Sequence, residues 1–148
     1  MQPLSAAIFA KLSGDATLAG MLASYGSPAR PAIFSIDPVP LDAAMPYVCW
    51  NGALHDEPFG GKVEEATGRD LKLDIRIYAP GIMSADGSSS STAAIDAIAE
   101  RVRALLHMTP LAVSGYTNMM ARCINGPIVI QSDPQAQGRA ITMEYILQ

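Results

Sequence analysis

Residues 71–77 constrain the fold of this chain more than any other segment, because apolar and charged residues alternate strictly there. A period of two is typical of a β-strand with one face on a core and the other in water. After a Gly- and Ser-rich loop, apolar residues recur at spacings of three and four: Ile95, Ile98, Val102, Leu105 and Leu106. That spacing predicts an amphipathic helix lying on the buried face of a half-exposed sheet.

Further helices and strands are predicted on both sides of this unit. A first helix over residues 3–13 is indicated by Leu4, Ile8 and Leu12, and Asp15 is a candidate N-cap for a short second helix. The main helix is predicted to end near His107, with Ser90, Ser91 or Thr92 as its cap. Strands are predicted over residues 32–36, 47–54, 69–79, 116–131 and 139–147.

Two connections bear on the topology. Residues 55–68 are predicted to be a loop at the tip of a long β-hairpin, because alternating strands flank them. Asn125-Gly126-Pro127 indicates either a bulge within one strand or a tight hairpin. The order of elements predicts a single α+β domain over residues 1–148, with a mainly antiparallel sheet, a long β-hairpin and helices packed on one face.

Composition excludes some classes of protein. The chain has 148 residues, of which 49% are hydrophobic and 16% are charged, so disorder is disfavoured. The low charged fraction favours an oligomer over an apolar-rich monomer, which stays the alternative. The net charge is −4 and the basic residues are scattered, which disfavours nucleic-acid binding. The N-terminus lacks the pattern of a signal peptide, and no apolar run approaches the roughly 18 residues of a membrane span. We therefore expect a soluble, intracellular chain.

No catalytic, cofactor or metal site is predicted. Cys49 and Cys123 lie in apolar runs and are expected to be buried, reduced thiols on neighbouring strands, although a disulfide stays an alternative. His55-Asp56-Glu57 is expected to be a solvated loop, since three adjacent side chains cannot converge on one ion. The loop from Gly81 to Ser91 lacks the lysine and the glycine spacing of a phosphate loop.

Four parts of the chain together resemble a known family. They are the opening helices with residues 12–18, the Pro-containing segment before Met45-Pro46-Tyr47-Val48, the strand and helix at residues 71–78 and 94–106, and the closing turn and strand at residues 138–145. In order and spacing, the chain resembles the tail terminator proteins of long-tailed bacteriophages and gene transfer agents. These are also called tail completion or head–tail joining proteins.

The resemblance implies a structural virion protein with no enzymatic activity. Proteins of this family form a ring, generally a hexamer, on the end of the tail tube; the ring stops tube polymerisation and provides the head–tail joining interface. The implied partners are further copies of the chain, the tail tube protein and the head–tail connector or stopper, with the tape measure protein as a further candidate. The implied location is the tail–head junction of the virion. DNA would pass through the lumen without sequence-specific binding.

The same resemblance indicates which residues make contacts. Phe59, Lys62, Glu64, Glu65 and Arg69 are the expected contacts of a tube-facing or neighbour-facing arm, whereas Asp74 and Arg76 are expected to line the lumen or pair between subunits. Two other functions remain open. One is another neck or minor tail joining protein, and the other is a small enzyme or ligand-binding module with a pocket under the loop from Gly81 to Ser91.

Overall fold

The computed structural model describes residues 2–59, 68–83, 85–86, 90–117, 119–133 and 135–148. Its helices are α1 (Gln2–Ser13), α2 (Ala16–Met21) and α3 (Ala93–Leu106). Its strands are β1 (Ser24–Tyr25), β2 (Arg30–Pro31), β3 (Ile33–Phe34), β4 (Tyr47–Trp50), β5 (His55–Phe59), β6 (Gly68–Ala79), β7 (Ile82–Met83), β8 (Ser90–Ser91), β9 (Met119–Ser132) and β10 (Gln137–Leu147). The α+β class is confirmed.

The main sheet is centred on β6 and β10, which pair along eleven residues in antiparallel register. Its strand order is β3-β4-β6-β10-β9, and β5 also pairs with β6. Every pair is antiparallel except β3 with β4. The predicted alternation in residues 71–77 is confirmed, because its apolar members are buried and its charged members are half-buried on the opposite face.

The three helices cover one face of this sheet. The predicted apolar stripe of α3 is buried, except that Leu105 is half-buried against the same core. The stripe of α1 is also buried, and the indole Nε1 of Trp50 in β4 donates to Ser5 Oγ of α1 over 2.8 Å. Asp15 caps α2 as predicted, accepting from the Leu18 amide at 2.8 Å. None of the described helices is long and apolar enough to cross a membrane.

Several predicted boundaries were wrong. Residues 55–59 are not loop but strand β5, because pairing with β6 outweighs their polar composition. The strand predicted over residues 47–54 ends at Trp50, where the Asn51 side chain accepts from the Gly52 amide and interrupts the ladder. Pairing resumes with Leu54 N donating to Lys72 O at 2.7 Å, so β4 and β5 lie in line along one edge of β6.

The outer strand β9 is continuous, which confirms the bulge at Asn125-Gly126-Pro127 and excludes a tight hairpin there. Its register against β10 shifts between Ala140 and Thr142, opposite these residues. Gly126 has φ +107°, and a Cβ at this position would lie 2.6 Å from the Ala140 carbonyl oxygen. A residue without a side chain is therefore required at the bulge. The strand begins at Met119, not at residue 116.

Other predictions need smaller corrections. The strand predicted over residues 32–36 contains only Ile33–Phe34. Cys49 and Cys123 are free, but they are not on neighbouring strands, because β6 and β10 separate β4 from β9. Thr92 occupies the N-cap position of α3 without a capping hydrogen bond from its side chain.

Candidate interaction surface

The hairpin arm formed by β5 and the start of β6 is held by contacts between its two strands. Phe59 pairs with Gly68, and its ring lies so close that a Cβ on Gly68 would be 2.6 Å from the ring Cζ. A glycine here allows the aromatic ring to cover the neighbouring strand. On this face of the arm, His55 Nε2 lies 3.3 Å from Glu57 Oε2.

Arg69 is tied to the other strand of the arm. Its Nε and Nη2 atoms both lie 2.8 Å from Asp56 Oδ1. The hydrogen bond and charge of Asp56 raise the pKa of Arg69 above its ordinary value. Of the residues expected to make contacts through the arm, Phe59 and Arg69 therefore lie at the end of the β5–β6 ladder next to residues 60–67 and make contacts within the chain. Lys62, Glu64 and Glu65 lie outside the described residues.

The sheet face opposite the helices carries Asp74 and Arg76, as expected. Asp74 Oδ1 accepts from Thr142 Oγ1 at 2.6 Å, and Arg76 Nη1 lies 2.6 Å from Asp37 Oδ2. Arg76 thereby joins the sheet to the segment that follows β3. Both side chains have partners within the chain, and both line a cleft of about 530 Å³ beside the interruption between β4 and β5.

A second ionic group lies on the same face, at the paired strands β6, β10 and β9. Glu144 is buried and lies between Arg122 and Lys72; the Arg122 Nε donates to its Oε2, and Lys72 Nζ lies 3.6 Å from its Oε1. The hydrogen bond from Arg122, followed by the charges of both cations, lowers the pKa of Glu144. Sequence reasoning missed this group, although the alternation of β10 places Glu144 on the polar face.

The end of this face near β4 is apolar and aromatic. Phe34 makes edge contacts with Tyr25 and Tyr47, at ring-centroid distances of 5.0 and 6.1 Å, and Tyr47 lies 5.4 Å from Tyr78. Cys49 is buried beside them. Burial, together with the negative charge of Asp37, raises the pKa of the Cys49 thiol to about 12, so it is a structural thiol and a poor nucleophile.

Two helix contacts also involve arginines whose partners were not predicted from the sequence. Arg101 of α3 binds Asp15 through two nitrogens, at 3.0 and 2.5 Å, and lowers the pKa of that carboxyl. Arg139 is buried on the helix side of the sheet and donates to Asp96 Oδ1 at 2.9 Å. These pairs fix α3 against α2 and β10, and they explain how a buried arginine is tolerated.

The described residues offer little that resembles a chemical site. His55 and Glu57 lie on one face of β5 and Asp56 on the other, as expected for adjacent strand residues. Within the described ranges, no group of three His, Cys, Asp or Glu side chains could hold a metal ion. In the loop from Gly81 to Ser91, residues 82–83 pair with residues 90–91; residues 84 and 87–89 lie outside the description.

Exposed apolar side chains are most numerous along β9, and others lie in the connecting segments. Along β9 they are Met120, Ile124, Ile128, Val129 and Ile130, and Met108 lies next to that strand. Ile36 and Leu41 are exposed in the segment that follows β3, and Leu54 is exposed between β4 and β5. Neighbouring exposed apolar side chains are typical of surfaces that another molecule covers.

The fold is that of a known virion chain. A chain of the solved structure described as "Virion of native gene transfer agent (GTA) particle" superposes with a TM-score of 0.62 and 19% sequence identity. The match covers 97% of this chain and 93% of the other. No protein-family model matches this sequence, and no curated protein matches it either. The similarity therefore establishes a shared fold over nearly the whole length.

Proposed function

We propose that this chain is a structural, non-enzymatic subunit of a ring that caps the tail tube of a phage or gene transfer agent. The ring stops tube polymerisation and provides the head–tail joining interface, and it resides at the tail–head junction. The observation that carries the proposal is the fold shared along 97% of the chain with a gene transfer agent virion chain. The resemblance to tail terminators in the order and spacing of four sequence parts gives independent support.

The distribution of apolar surface supports assembly. A closed ring of identical subunits requires two different surfaces on each copy, one for each neighbour. The exposed apolar residues of β9 and the exposed Ile36 and Leu41 are two distinct groups that could serve such contacts. We take further copies of the chain as the first partner, in the hexameric arrangement that the resemblance implies, and the tail tube and connector proteins as the next.

The hairpin arm is the proposed contact with the tube or with a neighbouring subunit. Phe59 on Gly68 and Arg69 on Asp56 join the two strands next to residues 60–67, so we assign these residues a positioning role. Lys62, Glu64 and Glu65 would then supply the contacts. Asp74 and Arg76, on the open face of the sheet, are proposed to line the lumen.

Deletion of the gene in its host tests the function directly. We expect negative-stain images of the particles to show overlong tails, and expression from a plasmid to restore normal particles. Tails of normal length that lack heads would instead favour a neck or minor tail joining protein, the second candidate. Normal particles in the deletion strain would refute both.

The arm is tested in the same strain. We expect a Lys62→Ser, Glu64→Ser, Glu65→Ser variant to remain folded and to fail to restore particles. A matched control is Glu100→Ser with Arg103→Ser, which removes an exposed ion pair from α3. Restoration by both variants would refute the role of the arm.

A further inference from the structure

Residues 37–45 form a strap that lies across the open face of the sheet, the face opposite the helices. Both ends of the strap are fixed, because β3 lies shortly before it and the Pro46 carbonyl oxygen after it accepts from Ala23 N at 2.9 Å. Between these points no residue of the strap is buried or belongs to a strand. In the described part of the chain, its backbone–backbone hydrogen bond is internal, from Ala43 N to Pro40 O at 3.0 Å. The strap is therefore held on the sheet by contacts that involve side chains.

Asp37 makes two of the three polar contacts that join the strap to other described residues. Its Oδ2 lies 2.6 Å from Arg76 Nη1 of β6, and its carbonyl oxygen accepts from Asn51 Nδ2 at 3.2 Å. The third contact is made by the Tyr25 hydroxyl, which donates to Asp42 Oδ1 at 3.2 Å. The contact between Asp37 and Arg76 is the shortest and joins opposite charges, so it is the strongest of the three. A single residue thus holds most of the strap.

The strap covers the aromatic end of the open face. Val39 and Ala43 pack against the small cluster that contains Phe34 and Cys49. Cys49 is 1% exposed, although it lies opposite Arg76 in the register of β4 with β6 and therefore points to the face without helices. Burial of a side chain on that face requires a cover, and the strap supplies part of it.

The strap also separates two clefts. One is the cleft of about 530 Å³ beside the interruption between β4 and β5, and the other, of about 440 Å³, is lined by Tyr47, Tyr78 and Gln131. Asp37 and Pro38 line both clefts and form the wall between them. Lifting the strap would therefore join the clefts into one groove across the open face, from the interruption between β4 and β5 to β9.

We propose that residues 37–45 open as a unit, with the ion pair between Asp37 and Arg76 as the latch. The closed strap shields Cys49 and divides the two clefts, whereas the open strap exposes Cys49 and joins the clefts while the sheet stays folded. Segments with few buried side chains and few backbone hydrogen bonds to the core open at a lower free energy than the whole domain unfolds. The inference concerns the isolated chain and does not depend on the proposed ring.

Proteolysis within the strap tests its opening. Leu41 is fully exposed, and an endoproteinase that cuts before aspartate can cleave the bond between Leu41 and Asp42 once the segment leaves the sheet. We expect Asp37→Ala and Arg76→Gln each to raise the initial rate of this cleavage by about two- to fivefold, as for the loss of a partly exposed ion pair. The double variant should be no faster than either single variant, because both remove the same contact.

The matched control for proteolysis is Lys72→Gln. This substitution removes an ion pair with Glu144 from the same face and touches no residue of the strap. We expect it to leave the cleavage rate between Leu41 and Asp42 unchanged. Cleavage rates of both latch variants that equal the wild-type rate refute the latch, as does an equal increase in Lys72→Gln.

Labelling of Cys49 in a Cys123→Ser background tests whether the strap opens without the sheet. With excess iodoacetamide at pH 9, both latch variants should be labelled faster than the background, with only a slight dependence on urea below the unfolding transition. A purely electrostatic effect on the thiol would differ in sign, because Asp37 raises the pKa of Cys49 and Arg76 lowers it. Faster labelling of Asp37→Ala with slower labelling of Arg76→Gln therefore refutes the latch. Labelling that rises with urea as steeply as global unfolding also refutes it, since Cys49 would then be reached only when the domain unfolds.

Discussion

The hydrogen bond between Ser5 and Trp50 is predicted to be a main attachment of α1 to the sheet. The indole of Trp50 is 1% exposed, and its Nε1 donates to Ser5 Oγ at 2.8 Å. Ser5→Ala removes the acceptor and leaves a buried N–H without a partner, which costs about 1–3 kcal/mol. Alanine is the better helix former by about 0.5 kcal/mol, so the expected net loss in unfolding free energy is about 0.5–2.5 kcal/mol.

Urea denaturation is the measurement, and the chain supplies its own probe. Trp50 is the single tryptophan, so its fluorescence reports on the environment that the substitution changes. Ser13→Ala is the matched control, because it makes the same change at the other end of α1, where the serine has no hydrogen bond from its side chain to any described residue. Far-UV circular dichroism should give the same transition midpoint if unfolding is two-state.

A double-mutant cycle with Trp50→Phe isolates the hydrogen bond. In the Trp50→Phe background no indole N–H remains, so Ser5→Ala should cost nothing or be slightly stabilising, with circular dichroism as the readout. If Ser5→Ala is no more destabilising than Ser13→Ala in the wild-type background, or if its cost persists with phenylalanine at position 50, the reasoning is refuted.

Three further predictions concern the sheet. Glu144→Gln should cost about 1.5–3 kcal/mol at neutral pH. The pKa of Glu144 is lowered in the folded protein, so its carboxylate stabilises the fold above the ordinary pKa of 4.5, and this stabilisation is lost as the pH falls through the folded pKa. The difference in unfolding free energy between wild type and Glu144→Gln should therefore shrink when urea denaturation is repeated at progressively lower pH. In the native protein, a thiol reagent at neutral pH should leave Cys49 unmodified and modify the half-buried Cys123 slowly. Gly126→Ala should destabilise by more than about 2 kcal/mol in urea, because of its positive φ and the Ala140 carbonyl oxygen.

Each of these has an outcome that contradicts it. A stability difference for Glu144→Gln that is constant with pH would mean that the carboxylate gains nothing from its neighbouring cations. Rapid modification of Cys49 would indicate that β4 opens readily. Gly115→Ala is the control for Gly126→Ala, since Gly115 has φ +88° with no atom within 4 Å of its built Cβ. If both substitutions lower the unfolding free energy equally, the loss comes from the positive φ alone and not from a clash with the Ala140 carbonyl oxygen.

Local periodicity predicted the central part of the fold, because a periodic pattern can be recognised from neighbouring residues alone. The alternation of residues 71–77 and the stripe of α3 each place side chains on a face without knowledge of the rest of the chain. The strand β5 was missed because His55, Asp56 and Glu57 have weak strand propensity, and only pairing with β6 makes them a strand.

The candidate site was less predictable, because no chemical motif marks a surface that binds another protein. The polar face of β6 followed from alternation, so Asp74 and Arg76 were placed correctly on it. Their partners, Thr142 and Asp37, are distant in sequence and depend on strand order. Period two also places Arg139 on the core side with Ile141, but its pairing with Asp96 depends on how α3 lies across the sheet.

The low charged fraction of the chain is explained by where its apolar residues lie. One set forms the core between the helices and the sheet, and a smaller aromatic group around Phe34 covers part of the other face. These two clusters leave apolar side chains exposed along β9 and at Ile36 and Leu41. An exposed apolar strand edge is the kind of surface through which protein chains pair. In the proposed assembly, burial of these side chains against another subunit would remove that apolar area from water, so the same residues that raise the hydrophobic fraction of the chain would contribute to association.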